Sequence, residues 1–352
     1  MKKVLALIMA AALALSLVAC GGNSSSAAGD SSVNSVAEGV SSAVPAGGKV
    51  GICIYKFDDN FMTTYRNKLE EILKAKGYDV STVDGNNDQA KQTEQIQTFI
   101  TQGVDALIIN PVMTSAAEQI VGMVKDAGIP TVLINREPTE GEMAVYDKIA
   151  YVGCDAAQSG TYQGELILAT ENKGDINGDG KVSYIMIQGD PENVDAKLRT
   201  EYSVKALTDA GVEVEQLDMQ RGDWDQEKGQ TITANALAQF GDKVEVVFCN
   251  NDAMAMGALE AIKAAGRKVN EDIYLVGVDA LDAALDAIAA GEMTGTVLND
   301  ADAQANKAVE VMEALLSGTT YTAEEQQIYV DYVMVTPDNV SEFMSADDSA
   351  AK

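Results

Sequence analysis

From residue 49 onward the chain repeats one pattern: a short apolar run, then an amphipathic stretch of helix length. The strand-like runs are KVGICIY (49–55), YDVSTVD (78–84), VDALIIN (104–110), IPTVLIN (129–135), IAYVG (149–153) and KVSYIMI (181–187). They continue with VEVEQLD (212–218), VEVVFCN (244–250), IYLVGVD (273–279), MTGTVLN (293–299) and IYVDYVMV (328–335). Most are near-continuously apolar, which marks strands covered on both faces, hence parallel sheets wrapped by helices. Helical stretches between them include 60–76, 89–102, 115–127, 194–210, 226–239, 253–265 and 301–317. Several stop at a glycine, as at Gly77, Gly103, Gly128, Gly211 and Gly266, the residue that takes the left-handed turn after a helix. Eleven strands exceed one ordinary doubly wound sheet. The pattern therefore predicts an α/β fold of two doubly wound parallel-sheet lobes, with a single (β/α)₈ barrel as the weaker alternative. A length of 352 residues agrees with two domains.

The N-terminal region is of another kind. Lys2 and Lys3 precede an apolar run, Val4 to Val18, too short to span a bilayer comfortably. It ends in LVAC, Leu17 to Cys20, which resembles a bacterial lipoprotein signal. That resemblance implies cleavage after residue 19 and a lipidated Cys20 as the mature N-terminus. Residues 21–48 are Gly, Ser, Ala, Asn and Val for the most part, a flexible polar spacer. Residues 1–19 thus read as a signal peptide and 20–48 as a lipidated tether. The expected localisation is extracytoplasmic, anchored to the cell membrane.

Fifty-four acids against 25 bases give a formal charge of −29, and −31 once Lys2 and Lys3 leave with the signal. Such a chain repels nucleic acid and anionic membrane surfaces. With no His at all, every catalytic scheme with His as general base is excluded. Cys53, Cys154 and Cys249 lie in or beside apolar runs without metal or disulfide spacing and read as buried thiols.

Ligands of open α/β sheets bind beyond the carboxyl ends of the strands. There the sequence places Asp58, Asp59 and Phe61, then Asn110 and Asn135, Asn251 and Asp252, Asp279, Asn299 and Asp300. Helix capping accounts for about half of them, most naturally Asp252 and Asp300. It leaves too many Asp and Asn unexplained, and these side chains suit hydroxyl groups as acceptor and as donor–acceptor. Asp195 and Arg199 stand four apart at a helix start, either as an ion pair or as a fork aimed into a cleft. Trp224, the only Trp, sits in the polar loop RGDWDQE, where an aromatic face can meet the C–H face of a sugar ring. Together these groups suggest a neutral polyhydroxylated ligand.

The segment DINGDGKVS (175–183) opens like a calcium loop, with Asp175, Asn177 and Asp179 at its first, third and fifth positions and Gly180 at the sixth. Its twelfth position, where an EF-hand carries a bidentate Glu, is Met186. A plain Asn-Gly-Asp-Gly turn is the metal-free alternative.

Long motifs in order carry a resemblance: YKFDDNFM (55–62), YDKIAYVGCD (146–155), NNDAMAMGALEAIKA (250–264), GVDAL (277–281) and GTVLNDA (295–301). From about residue 49 to 345 the chain resembles the bacterial D-galactose/D-glucose-binding proteins of the type I periplasmic-binding superfamily. The resemblance implies two lobes joined by three crossovers, with a sugar in the cleft and hinge closure upon it. It implies sugar contacts from Asp59, Phe61, Asn110, Asp195, Arg199, Trp224, Asn251, Asp279 and Asn299, with Phe61 and Trp224 sandwiching the ring. Asp59 would read the hydroxyl that separates galactose from glucose. Asn193 replaces a ring-contacting His of that family and keeps a hydrogen-bond donor there. The resemblance also supplies the missing calcium ligand, Glu245 from a distant strand, beside Asp175, Asn177, Asp179, the Lys181 carbonyl and Ser183.

The implied function is a lipoprotein that captures a hexose and delivers it to an ABC permease and its ATPase subunit, as a monomer without catalysis. A pentose or another small polar ligand on the same fold, and an extracellular glycosidase, are the alternatives. A related transcriptional regulator is disfavoured, since residues 1–48 hold a signal and spacer where a DNA-binding head would lie. The expected lobes are 49–130 plus 300–330 and 131–299 plus 331–345, with a tail at 346–352.

Overall fold

The structure, a computed structural model, describes residues 47–344. The expected signal peptide, Cys20, the tether up to residue 46 and the tail lie outside the described residues. In chain order the strands are β1 (Lys49–Ile54), β2 (Asp79–Asp84), β3 (Ala106–Ile109), β4 (Thr131–Ile134), β5 (Ile149–Gly153) and β6 (Lys181–Gln188). Then come β7 (Glu213–Arg221), β8 (Val246–Cys249), β9 (Tyr274–Val276), β10 (Thr296–Leu298), β11 (Gln327–Tyr329) and β12 (Val333–Val335). The helices are α1 (Asn60–Ala75), α2 (Gln89–Gln102), α3 (Ala117–Ala127), α4 (Glu140–Met143) and α5 (Ala156–Leu168). They continue with α6 (Val194–Asp209), α7 (Gln226–Phe240), α8 (Asp252–Ala264), α9 (Asp282–Ala289) and α10 (Ala301–Leu316).

Two parallel sheets result. The first runs β11-β5-β4-β3-β1-β2 and the second β7-β6-β8-β9. β10 pairs antiparallel with β12, and single bridges at Val276–Gly295 and Asp279–Leu298 join β10 to the second lobe. Both faces of each sheet are covered, which is why the strands read as continuous apolar runs. Along β1, Val50, Ile52 and Ile54 face a core shared with α1 and α10, while Cys53 faces the opposite core with Phe99 and Ile120. β6 divides likewise, Ile185 and Ile187 on one side, Tyr184 and Met186 on the other. Each buried aliphatic side chain of this kind contributes about 1.5–3 kcal/mol of transfer free energy.

Two expectations about the chain's path are corrected. The division at 130/131 does not follow the sheets, because β4 pairs with β3, and β5 with β4, in the first one. The run 328–335 is not one strand. β11 lies parallel to β5 in the first lobe, the chain crosses at 330–332, and β12 lies against β10 in the second. The crossing reads as strand because apolar residues flank the exposed Asp331 and Tyr332 is buried there. The chain thus passes between lobes after β5, between β10 and α10, and between β11 and β12. No helix among the described residues is long and apolar enough to cross a membrane.

Candidate binding cleft

Each sheet reverses its strand order once, between β1 and β3 in the first and between β6 and β8 in the second. Such switch points open crevices beyond the strand ends. Three helix caps face them. Asp59 caps α1: its Oδ1 accepts from Met62 N at 2.7 Å, and its Oδ2 accepts from the Tyr55 hydroxyl at 2.6 Å. Asn193 caps α6, Oδ1 accepting from Asp195 N at 2.9 Å. Asn251 caps α8, Oδ1 accepting from Met254 N at 3.0 Å. Capping and cleft lining are therefore joint roles of one side chain, and the three helix N-termini bring partial positive charge to the cleft. The expected cap Asp252 is corrected here. Asn251 takes that role, and Asp252 is buried with other partners.

Asp59, Phe61, Asn193, Asp195, Arg199, Trp224, Asn251, Asp279 and Asn299 line one cavity. It holds about 340 Å³ of space between atoms, counting its open mouth. Asn110 is the exception and a correction. It is fully buried, accepts from Tyr55 N at 3.2 Å, and donates to Ile134 O at 3.2 Å and Asn135 Oδ1 at 3.1 Å. It orients Asn135, which does line the cavity, along with Tyr55, Met62 and Arg136. Arg136 was not expected. Its guanidinium lies 4.0 Å from the Tyr55 ring centroid and donates to Val112 O, while its buried Nε has no protein partner.

Close helix packing sets the walls. A Cβ on Gly160 or Gly164 of α5 would come within 3 Å of α6 backbone atoms, including Leu198 O at 2.9 Å and Ser203 O at 2.5 Å. That approach places Asp195 and Arg199. A Cβ on Gly257 of α8 would lie 1.9 Å from Gln226 O of α7. That approach sets Asn251 against the Trp224 loop, where Asn251 Nδ2 donates to Trp224 O at 3.4 Å. The Trp224 ring covers Gly189, whose Cβ would lie 2.3 Å from it.

Arg199 is the electrostatic centre. Its Nη1 donates to Asn250 O at 2.8 Å and its Nη2 to the Tyr332 hydroxyl at 2.9 Å. Asp195 Oδ2 is 3.9 Å from Nη2, and the guanidinium lies 5.8 Å from the Trp224 ring. Burial raises the carboxyls of Asp195 and Asp279 above the ordinary range, and Arg199 draws both back down. The cleft thus holds carboxyl acceptors, amides and the guanidinium groups of Arg136 and Arg199, a mixture of donors and acceptors suited to hydroxyls. Arg199 Nε is buried without a protein partner.

The acidic loop is folded around its own backbone. Asp175 Oδ1 accepts from Gly178 N at 2.8 Å and Asp179 N at 3.1 Å, and its Oδ2 accepts from Gly180 N at 3.0 Å. Asn177 Oδ1 accepts from Asp179 N at 2.8 Å, and Asp179 Oδ1 from Lys181 N at 3.2 Å. Glu245 reaches this loop: Oε1 accepts from Asn177 N at 2.9 Å and Oε2 from Ser183 N at 2.8 Å. Glu245 is 1% exposed, and no ion pair holds it among the described residues. The Lys181 ammonium turns outward to Glu215. No three acidic, His or Cys side chains converge to metal distance among the described residues.

The model of the periplasmic binding protein domain matches residues 50–320. The chain belongs to the periplasmic binding protein family. The two-lobed, parallel-sheet architecture is that of its type I members. One periplasmic binding protein, the D-galactose/methyl-galactoside binding protein of Haemophilus influenzae, is 35% identical over 315 residues, 86% of this chain and 94% of its own. A putative rhizopine-binding protein of Rhizobium meliloti is 37% identical over 296 residues, 84% of this chain and 92% of its own. Among solved periplasmic binding proteins, an ABC transporter solute binding protein from Bacillus halodurans with bound myo-inositol superposes with a TM-score of 0.73. It is 30% identical, and the match covers 85% of this chain and 98% of that one.

Proposed function

We propose that this protein is the extracytoplasmic receptor of an ABC importer, capturing a hexose such as D-glucose, D-galactose or a galactoside between its lobes. The observation that carries this reading is the convergence on one cavity of the aromatic side chains Phe61 and Trp224 with Asp59, Asp195, Asp279, four Asn and Arg199. Aromatic faces suit the C–H faces of a sugar, and buried donor–acceptor pairs penalise a ligand that lacks the matching hydroxyl. The relatives are named as binding proteins, and the role here is capture and delivery, not hydrolysis. The permease and ATPase are separate partners. The LVAC motif supports a lipid anchor at Cys20, checked by mass spectrometry of the mature N-terminus.

The test is a titration of the globular body with glucose, galactose, ribose, arabinose and myo-inositol, following Trp224 emission. Saturation by a hexose at micromolar or lower concentration is expected. A folded protein silent to all five would overturn the reading. Arg136 favours a second reading, a carbocyclic polyol of the inositol class, since its guanidinium adds donors beyond the expected set. Tighter binding of myo-inositol than of either hexose would select it.

The 175–183 loop reads as a structural calcium site with Asp175, Asn177, Asp179, the Lys181 carbonyl, Ser183 and Glu245. The donor set is all oxygen, which suits calcium, and a buried carboxylate without an ion-pair partner at its centre fits a cation there. Calcium is expected to raise the melting temperature, and Glu245→Gln to remove that rise. An unchanged melting temperature with calcium and with chelator would count against it.

A further inference from the structure

We infer that Gln304 is a positioning residue that fixes which edge of the Asn299 amide faces the cleft. Asn299 lies on the crossover between β10 and α10. Its Oδ1 accepts from Gln304 Nε2 at 2.6 Å and lies 3.5 Å from Cys154 Sγ, on the first crossover. Its Nδ2 donates to Asp279 Oδ1 at 3.1 Å. All four residues are buried.

A primary amide has a donor edge and an acceptor edge, and shape alone lets it present either. In a buried cleft the choice decides which hydroxyl edge of a ligand is satisfied and which is left unpaired. Asn299 does not settle this by itself. Gln304 sits in the first turn of α10, on the first-lobe side, and takes the amide oxygen. The Cys154 thiol, a weak donor, approaches the same oxygen. With the oxygen taken, the NH₂ edge must turn to Asp279 and the cavity that both residues line. Asp279, as an acceptor, fits that orientation. A chain of hydrogen bonds therefore runs from a first-lobe helix through the hinge to a cleft carboxylate of the second lobe. Gln304 does not line the cavity and acts only through Asn299.

The inference rests on the reading of the cleft as a polyol site, and its test separates the two. Gln304→Leu removes the donor and is expected to weaken binding of the hexose that wild type prefers by about tenfold or more at every pH. Gln304→Glu behaves differently. An ionised Glu can only accept, so Asn299 turns its NH₂ toward residue 304 and sets Oδ1 against Asp279. A protonated Glu donates again and restores the original orientation. Gln304→Glu is therefore expected to bind weakly near about pH 8 and to regain affinity toward about pH 5, whereas Gln304→Leu regains none. The groups that face this network, Cys154, Asp279, Asp252, Asp59, Asp300 and Arg199, are common to wild type and both variants, so the difference between variants is what is read.

Melting temperatures of the ligand-free proteins show the pH range over which each variant is folded, since a Glu buried at residue 304 destabilises when ionised. Gln304→Glu is expected to gain on wild type as pH falls, and Gln304→Leu is not. If wild type binds no polyol, the function proposal falls, and the Asn299 side-chain amide resonances of wild type and Gln304→Leu decide the amide assignment, unchanged shifts overturning it. Wild-type affinity and ligand ranking in both variants, or parallel pH profiles for both, would overturn it. If Gln304→Glu does not fold at neutral pH, its ligand ranking is compared with that of Gln304→Leu near about pH 5, where a wild-type ranking in the first and an altered one in the second uphold the assignment and equal rankings overturn it. If it folds at neither, unchanged sugar ranking in Gln304→Leu overturns the assignment and altered ranking upholds it.

Discussion

Asp252 lies one residue beyond the cap of α8, and its carboxylate reaches away from the helix. Oδ1 accepts from the Thr296 hydroxyl at 2.6 Å and Oδ2 from Leu281 N at 3.0 Å. It thereby ties β10 to the turn that carries Asp279 and Ala280, both with positive φ, at 128° and 56°. Such backbone is costly for non-glycine residues and persists only when its surroundings hold it. Gly277 leaves the space, since a Cβ there would lie 2.1 Å from Asp252 Oδ1. Burial pushes the Asp252 carboxyl from 3.8 up to about 6, against the pull of its hydrogen bonds. A carboxyl raised on folding favours the native state fully below its unfolded value and loses that contribution as pH rises through the folded one. The loss from pH 4 to 7 is on the order of 3 kcal/mol. Asp252→Asn removes this titration and damages the hydrogen bonds. The gap in unfolding free energy between wild type and variant should be widest near pH 4 and narrow above about pH 6. Urea melts across that range would show it, and a constant gap would refute it. Residue-scale legibility has a sharp limit in Asn110 and Asn135. Both follow an apolar strand and look alike in sequence. The left-handed φ of Asn135, 61°, turns the chain so that Arg136 swings beneath Tyr55 into the cavity. Nothing in the residue types announces that rotation.

At the scale of elements, pairs of helices in near contact set the cleft's width. α7 and α8 approach through Gly229 and Gly257, whose Cβ atoms would lie 2.3 Å from Met254 O and 1.9 Å from Gln226 O. Gly257→Ala must push the helices apart at a cost of about 1–3 kcal/mol. Because Asn251 caps α8 and Trp224 precedes α7, sugar affinity should fall along with stability. A variant that melts lower yet binds as wild type would separate the two. Strands, helices and their parallel pairing were legible because a double-sided sheet demands unbroken apolar runs and helices end at glycines. α5 and α9 are absent from the helical stretches read in the sequence; α9 has only eight residues to show a period. The calcium-like loop was legible only in part, because Glu245 comes from 62 residues beyond Ser183 and reaches the loop through the pairing of β6 with β8.

For the whole molecule, the alternation of strand and helix gave two lobes, and the family resemblance gave three crossovers. What neither could assign was which segments belong to which lobe. Pairing partners are decided by sheet edges far apart in sequence, as when β11 joins β5. The interleaving has a consequence for how such a chain is made. The first lobe begins at Lys49 yet lacks its last helix and edge strand until Tyr329 has been added. Until then the faces of β3, β4 and β5 that α10 covers stand open, with Ile108, Val132 and Val152 exposed to whatever is nearby. The second lobe likewise waits for Val335. A ribosome therefore releases neither half early. The core of each lobe closes only once its last strand, β11 or β12, has been made.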